Sequence, residues 1–456
     1  MVVKQWITGA LLALIAGLGG VEAETALSGQ FSLAEVVYLS GTNGSIYDDT
    51  EGAAGIVHSG ELGARLSSWG EIYSLEAELQ AAYSGDGDPE ISLPRAVLDL
   101  TPSSWLTLRL GLFTYTPGNA EFRSPLSYLS QRDTEALLSG DLSSVRSASE
   151  LLQATAFVGP AYLRLTAMPL RPRPKLPETD SIWFPRETIP EFVVRGPDDT
   201  VYLLRSLYYP AEAEAADRVV DGSLLGEVSA TLGPVDGTLL GYSGYSPQLL
   251  LQPKVDVQSV SSTFDVALAP IQNRITALGA AVATSLGATR IYAEATHTWN
   301  RKTVMNLEDW QKISSIFTQN DPAPLYTSNV QEILAGGSYQ GYLDLSAVGG
   351  LQWVVLGEYF TTFGVPADAD PGILSEFVGL SGTINTYRPE LSLGVYSVTS
   401  WKAPGFGVAS VFSLAWQATP AVALNLRYPM FLGDAGNELG QYGDLHVVHA
   451  GVTVRF

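Results

Sequence analysis

Apolar and polar residues alternate along most of the chain, and the last segment shows the alternation most clearly. In DLHVVHAGVTVRF, residues 444–456, Val452, Val454 and Phe456 share one side, whereas Thr453 lies on the other. Successive side chains of a strand point to opposite faces. The segment is therefore predicted to be a strand with one apolar face and one polar face.

Aromatic residues bound the apolar faces of other predicted strands. Tyr73 and Tyr83 lie ten residues apart on the apolar face of one segment, and Phe406 and Trp416 do the same in another. At about 3.3 Å per residue and a tilt of about 40°, such a spacing covers about 25 Å along a membrane normal. This is the height of the apolar band between the aromatic girdles of a transmembrane β-barrel.

Strands of this kind, separated mostly by Gly, Pro, Asn, Asp or Ser, recur throughout the sequence. They are predicted near residues 27–38, 58–67, 73–83, 92–101, 106–112, 151–158, 224–232, 275–285, 289–299, 351–360, 391–399, 406–417, 421–428 and 448–456. We predict an all-β fold, a transmembrane antiparallel β-barrel of about 16–18 strands with long extracellular loops and short periplasmic turns. A soluble β-sandwich or β-helix also alternates, but neither requires aromatic residues at both ends of an apolar band.

The first residues differ from the rest of the chain. Lys4 precedes an apolar run from Trp6 to Leu18, and Val21 to Ala23 fit a small-residue cleavage site. We predict that residues 1–23 are a secretory signal peptide and that residues 24–456 form a single barrel domain.

Composition restricts the function. Hydrophobic residues make up 46% of the chain and charged residues only 16%, which an apolar surface facing lipid would explain. The net charge of -22 argues against nucleic-acid binding, since no basic stripe is available to neutralise phosphates. There is no cysteine, there are four histidines, and no nucleophile elbow, phosphate-binding loop or metal-binding helix motif occurs. We therefore predict no enzymatic activity and no cofactor.

Taken together, the cleavable signal, the girdled strands and the terminal aromatic residue resemble the bacterial outer-membrane β-barrel proteins, porins in particular. The resemblance implies an integral outer-membrane protein surrounded by outer-membrane lipid and lipopolysaccharide. It implies that Phe456, Val454 and Val452 form the signal read by the barrel-assembly machinery. Porins of this size are often trimers, so the resemblance also implies a homotrimer as one possible assembly.

A second resemblance concerns residues 94–133, which are similar to a porin hairpin with a tight turn at residues 101–104 and a long loop after its second strand. In several porins such a loop folds inward and narrows the pore. If this one does, the resemblance implies constriction candidates in its charged residues, Glu121, Arg123, Arg132 and Asp133. If the loop stays outside, these are ordinary solvated charges, and both alternatives remain open.

Charged residues of the predicted strands share one register, opposite the apolar face. The pore-lining candidates are Glu76, Glu78, Arg95, Asp99, Arg109, Arg290, Glu294, Glu358 and Arg427, with Glu61, Arg65 and Arg455 in the same register. Charges facing lipid at mid-depth are costly, so this common register indicates an aqueous or self-paired interior. The charges either create a field that filters solutes or brace the wall as ion pairs, and both can hold at once.

The predicted function is an outer-membrane porin or channel for passive diffusion of small polar solutes, with a selectivity set by its charged lumen. One alternative is a transporter of hydrophobic molecules, which would need an apolar lumen. Another is a structural or surface-binding barrel whose lumen is blocked by loops. The long connections near residues 169–221 and 301–327 are the reason to retain this alternative.

Overall fold

The computed structural model describes the parts of the chain that form the barrel and several of its connections. These are residues 24–40, 56–84, 90–132, 146–170, 193–195, 201–208, 222–247, 250–258, 263–271, 273–305, 324–345, 349–367, 369, 375–387, 390–401, 405–434, 437, 439–443 and 446–455. The predicted signal peptide, Asp133 and Phe456 lie outside the described residues. No helix in the described ranges is long and apolar enough to cross a membrane.

Eighteen of the described strands form one antiparallel sheet that closes on itself. They are β1 (Glu24–Ser40), β2 (Ile56–Trp69), β3 (Tyr73–Ser84), β4 (Glu90–Ser103), β5 (Leu106–Phe113), β8 (Ser149–Val158), β9 (Ala161–Met168), β12 (Ser223–Leu232), β13 (Val235–Tyr245), β16 (Arg274–Leu286), β17 (Thr289–Val304), β18 (Leu325–Leu343), β19 (Leu351–Phe363), β20 (Glu376–Tyr387), β21 (Glu390–Ser400), β22 (Gly407–Thr419), β23 (Val422–Gly433) and β24 (His446–Arg455). Strand β1 pairs with both β2 and β24, which closes the barrel. The predicted fold class is confirmed.

The register separates an inner face from an outer face. Glu294 pairs with Leu334, and Leu334 pairs with Phe360, so all three point to one side. Leu334 and Phe360 are fully buried, whereas their chain neighbours Ile333 and Tyr359 are exposed. Because the exposed apolar residues belong to the opposite register, the outer face of the barrel is the apolar one.

Aromatic residues stand at both ends of the outer face in β22 and its preceding loop, where Phe406 is 51% and Trp416 41% exposed. Tyr83 is also exposed, at the end of β3. Tyr73, expected to be its girdle partner, is buried instead, in a cluster with Leu75 and Leu98, and its ring lies against Gly70 in the β2–β3 turn.

Tight turns join the strands at one end of the barrel and longer connections join them at the other. Gly159–Pro160 and Gly233–Pro234 are two-residue turns, and both glycines have positive φ, which a residue with a Cβ adopts only with strain. The β4–β5 turn lies at residues 104–105 and not at 101–104, because β4 continues to Ser103 through a register shift.

Two of the longer connections share a second sheet. It comprises β10 (Val193–Arg195), β11 (Val201–Tyr208), β14 (Leu250–Gln258) and β15 (Thr263–Ile271). Strand β11 comes from the β9–β12 connection and pairs in parallel with β15 from the β13–β16 connection. A short pair, β6 (Gln131–Arg132) with β7 (Arg146–Ser147), lies in the β5–β8 connection, and one 3-10 turn covers Gly440–Tyr442.

Candidate functional site

The connection after β5 folds into the barrel. Its described part, residues 114–130, is named the inner loop here. Phe122 stacks on Tyr396 of β21 with 4.5 Å between ring centroids, and Tyr128 stacks on Tyr242 of β13 at 4.7 Å. Both contacts are with inner-face side chains, so the loop packs against the inner wall from β13 to β21. The largest buried apolar clusters of the described residues lie along this contact.

Glu294 of β17 forms hydrogen bonds with the first bend of the inner loop. Its carboxylate accepts hydrogen bonds from the backbone N–H groups of Asn119 and Ala120, the latter at 3.1 Å. The hydroxyl of Ser124 donates a third hydrogen bond at 2.6 Å. A buried carboxylate is costly unless donors surround it, and here the loop backbone supplies them.

Glu358 of β19 likewise forms hydrogen bonds with the next two residues of the inner loop, Glu121 and Phe122. Its oxygens accept the backbone N–H groups of Glu121 at 2.7 Å and Phe122 at 3.0 Å. The hydroxyl of Tyr292 also donates to it. Four consecutive loop amides are therefore satisfied by two wall carboxylates, which fixes the path of the backbone across this part of the wall.

A third carboxylate holds an arginine of the loop. Glu332 of β18 accepts from Arg123 at 2.7 Å and from Arg301 of β17 at 3.0 Å. The Arg123 guanidinium also lies 4.4 Å from the ring centroid of Phe360. All three charged side chains are buried, so Arg123 joins the loop to the wall.

The start of the inner loop is fixed by Glu227 of β12. This buried carboxylate accepts the hydroxyls of Tyr115 and Tyr162, the second at 2.5 Å, and lies 3.5 Å from Arg164 of β9. Burial, reinforced by Glu227, raises the pKa of the Tyr115 hydroxyl far above its ordinary value. Tyr115 therefore stays protonated and serves as a hydrogen-bond donor.

Glycine makes room for the loop at three places. Gly118 has φ +98°, and a Cβ there would overlap the Glu294 carboxylate. A Cβ on Gly379 of β20 would overlap the Phe122 ring, and one on Gly279 of β16 would overlap Leu126. The loop and the wall are therefore sterically matched.

The wall formed by β2 to β5 carries ion pairs that keep contact with water. Glu76 binds Arg65 and lies 3.1 Å from Arg95, while Asp99 binds Arg109 through two contacts of 2.6 and 2.9 Å. The three arginine side chains remain 55%, 42% and 41% exposed. This side of the lumen therefore presents accessible positive groups.

The other predicted site residues lie apart from these pairs. Arg290 is exposed and donates to the Asn119 side chain. Glu121 is exposed on the inner loop, whereas Glu78 and Arg427 are half-buried. The structure describes the backbone of Arg132, in β6, but not its side chain.

Val452 and Val454 are exposed on the outer face and pair with Leu33 and Phe31 of β1, where the barrel closes.

Sequence reasoning missed four charged residues that hold the inner loop: Arg164, Glu227, Arg301 and Glu332. Arg301 breaks the alternation, because an irregularity between Thr298 and Arg301, with Asn300 at φ 59°, turns it to the inner face. Arg164, Glu227 and Glu332 lie in the inner register of their strands. Glu227 lies within the strand predicted near residues 224–232, and extending the alternation to β9 and β18 would have found the other two.

The outer face decides the environment of the molecule. Exposed side chains there include Leu163, Val228, Leu278, Val355 and Leu380, on strands spread around the barrel. A closed sheet satisfies its backbone internally, and an apolar outer belt fits a lipid bilayer and not water. The molecule is an integral outer-membrane β-barrel.

Comparison with known proteins supports no closer assignment of this barrel. No family model and no curated protein matches the sequence. Similar solved structures include OccD3 (OpdP) of Pseudomonas aeruginosa, 12% identical over 96% of this chain and 92% of that one, with a TM-score of 0.47. OmpF of Salmonella typhi is 9% identical, with 95% and 97% coverage and a TM-score of 0.41. OmpT of Vibrio cholerae, solved in a trimer form, is 10% identical, with 95% and 99% coverage and a TM-score of 0.39.

In the described ranges, no three His, Asp or Glu side chains come together in a way that could hold a metal ion.

Proposed function

We propose that the barrel is a channel for passive diffusion of small polar solutes, and that the inner loop sets the size and charge of its aperture. One observation carries the proposal. Residues 119–123 are attached to the inner wall by Glu294, Glu358 and Glu332, while the arginines of β2 to β5 remain accessible. A loop attached in this way narrows the lumen.

The size and chemistry of the lumen support the proposal. A barrel of 18 strands is wide enough to leave an aqueous channel. Its accessible inner side chains include Arg65, Arg95, Arg109 and Arg290, with Glu121 exposed on the loop. Fixed charges of both signs create a field that favours polar solutes and discriminates among ions. The same charges disfavour the hydrophobic-transporter alternative.

The test is single-channel recording of purified, folded protein in a planar bilayer under a salt gradient. We expect stable ohmic steps, and the sign of the reversal potential reports cation or anion preference. Folding is verified independently by the heat-dependent shift in gel mobility. A correctly folded barrel that conducts no current would overturn the channel proposal.

A surface-binding barrel is the second candidate, and the four-stranded sheet of β10, β11, β14 and β15 favours it. That sheet joins two connections at the end of the barrel where the inner loop enters. If it covers the mouth, removing residues 250–271 restores conductance to a protein that otherwise has none. If the intact protein already conducts, this candidate fails.

We also propose a homotrimer, as expected from the resemblance to porins. Sedimentation of the detergent-solubilised protein tests it, and a monomeric mass at all protein concentrations would contradict it.

A further inference from the structure

A cavity of about 210 Å³ lies between the inner loop and the wall formed by β9, β12 and β13. Thr116 and Asn119 of the loop line one side, and Ser229, Asp236 and Thr238 line the other. The last three are close to the β12–β13 turn, so the cavity lies on the short-turn side of the loop. It is smaller than the roughly 300–1,000 Å³ of pockets for drug-sized ligands, which suits a solute of monosaccharide size.

The Glu227–Arg164 pair in the cavity is already satisfied by the protein. Glu227 accepts the hydroxyls of Tyr115 and Tyr162 and lies 3.5 Å from Arg164. Arg164 also donates to Tyr115 at 2.8 Å and to Thr155 at 3.2 Å. An incoming anion or cation would have to compete with these contacts, so the pair offers little to a charged solute.

The remaining polar groups are mainly hydroxyls. Thr238 donates to Ser229 at 3.0 Å, and Ser229 donates to the Gly237 carbonyl at 3.1 Å, so Ser229 is left as an acceptor. Asp236 accepts from Thr231 with one of its two oxygens. Hydroxyls both donate and accept, so each can bind a further polar group of a solute. A polyhydroxylated molecule supplies matching groups.

We propose that this cavity is a binding site for a neutral monosaccharide, occupied as the solute passes the inner loop. The proposal rests on the proposed channel function and names a solute class for it. The hydroxyls of Ser229 and Thr238 and the carboxylate of Asp236 form hydrogen bonds with the sugar, while the Glu227–Arg164 pair holds the walls in place.

The test compares three probes of similar size and different charge: D-glucose, gluconate and glucosamine. We expect D-glucose to interrupt single-channel current in a saturable way and to do so at lower concentration than the charged probes. The double variant Ser229→Ala/Thr238→Ala should weaken the apparent glucose affinity about tenfold, because it removes two hydrogen-bonding groups. Ser413→Ala, in the inner register of β22, is the matched control and should leave the affinity unchanged.

Two results would overturn the inference. One is a glucose response that is absent or not saturable in a conducting wild-type channel. The other is a stronger response to gluconate or glucosamine, which would indicate a charged ligand.

Calorimetric titration of the folded protein in detergent with D-glucose separates this inference from the channel proposal. Binding without conductance contradicts the channel and leaves the binding site standing. Conductance without binding or current interruption contradicts the binding site alone. Each variant is compared only after its gel-mobility shift shows a folded barrel.

Discussion

Two carboxylates of the barrel wall accept hydrogen bonds from backbone N–H groups of the inner loop. Glu294 and Glu358 each accept two amide N–H groups, so four donors of an irregular segment are satisfied without secondary structure. In an empty barrel water would hydrate both carboxylates, and with the loop in place its amide donors replace that water. The loop and these two side chains therefore depend on each other.

Replacing Glu294 by Ala should detach the first bend of the inner loop. The buried donors of Asn119 and Ala120 would lose their acceptor, at a cost of about 1–3 kcal/mol each, so the loop would sample other positions. We expect greater open-channel current noise and faster proteolysis within residues 114–130. Glu61→Ala, in the inner register of β2, serves as the control. Unchanged noise and proteolysis in Glu294→Ala would show that the loop is held by its aromatic contacts.

Gly118→Ala tests the steric match at the same bend. The added methyl group would overlap the Glu294 carboxylate, and φ +98° is strained for alanine. We expect a loop displacement that changes the mean conductance. Gly226→Ala is the matched control, since its Cβ would enter open space on the outer face. Equal conductance in both variants would contradict the described loop path.

Part of this residue-level arrangement could be predicted from the sequence. Alternation alone placed Glu294 and Glu358 in one register, but it could not show that they hold a loop, since the path of the loop has no period. Arg301 was out of reach because strict alternation from Glu294 places it on the outer face, and only the irregularity near Asn300 reverses that. Glu227 lies within the strand predicted near residues 224–232, and extending the alternation to β9 and β18 would have found Arg164 and Glu332.

At the scale of elements, the alternation located fourteen barrel strands and missed β9, β13, β18 and β20. Three of the missed strands contain several glycines, such as Gly336 and Gly337 in β18 and Gly379 and Gly382 in β20. Glycine contributes no side chain to the pattern, although here it makes space for the loop or for neighbouring rings. Strand β9 has the same length as β5 and alternates regularly at Leu163, Leu165 and Ala167, so the pattern could have located it.

Shortening the inner loop tests its role as an element. Replacing residues 117–129 with a short Gly-Ser linker removes Phe122 and Tyr128 from the lumen. We expect the single-channel conductance to rise several-fold, because the loop no longer occupies part of the lumen. A single substitution, Phe122→Ala, should cost about 3–5 kcal/mol of unfolding free energy from the lost buried ring. A shortened protein with the original conductance would place the constriction elsewhere.

For the whole molecule, we predict that a charge added to the outer face destabilises the barrel, whereas the same charge added to the inner face has little effect on stability. Ile333 and Gln340 both lie in β18, Ile333 on the outer face and Gln340 in the inner register. Ile333→Arg should cost about 2–4 kcal/mol, because the charge enters lipid, as measured by urea unfolding from vesicles. Gln340→Arg should cost little, since its side chain faces the aqueous lumen. Equal costs would contradict the assignment of the two faces.

The parallel pairing of β11 with β15 restricts how the long connections can move. An ordinary loop is attached to the barrel at its two ends and can rotate about the axis through these two points. The four-stranded sheet is attached by four segments, which run to the neighbouring strands β9, β12, β13 and β16. A displacement of one connection therefore carries the other connection with it unless the β11–β15 ladder breaks.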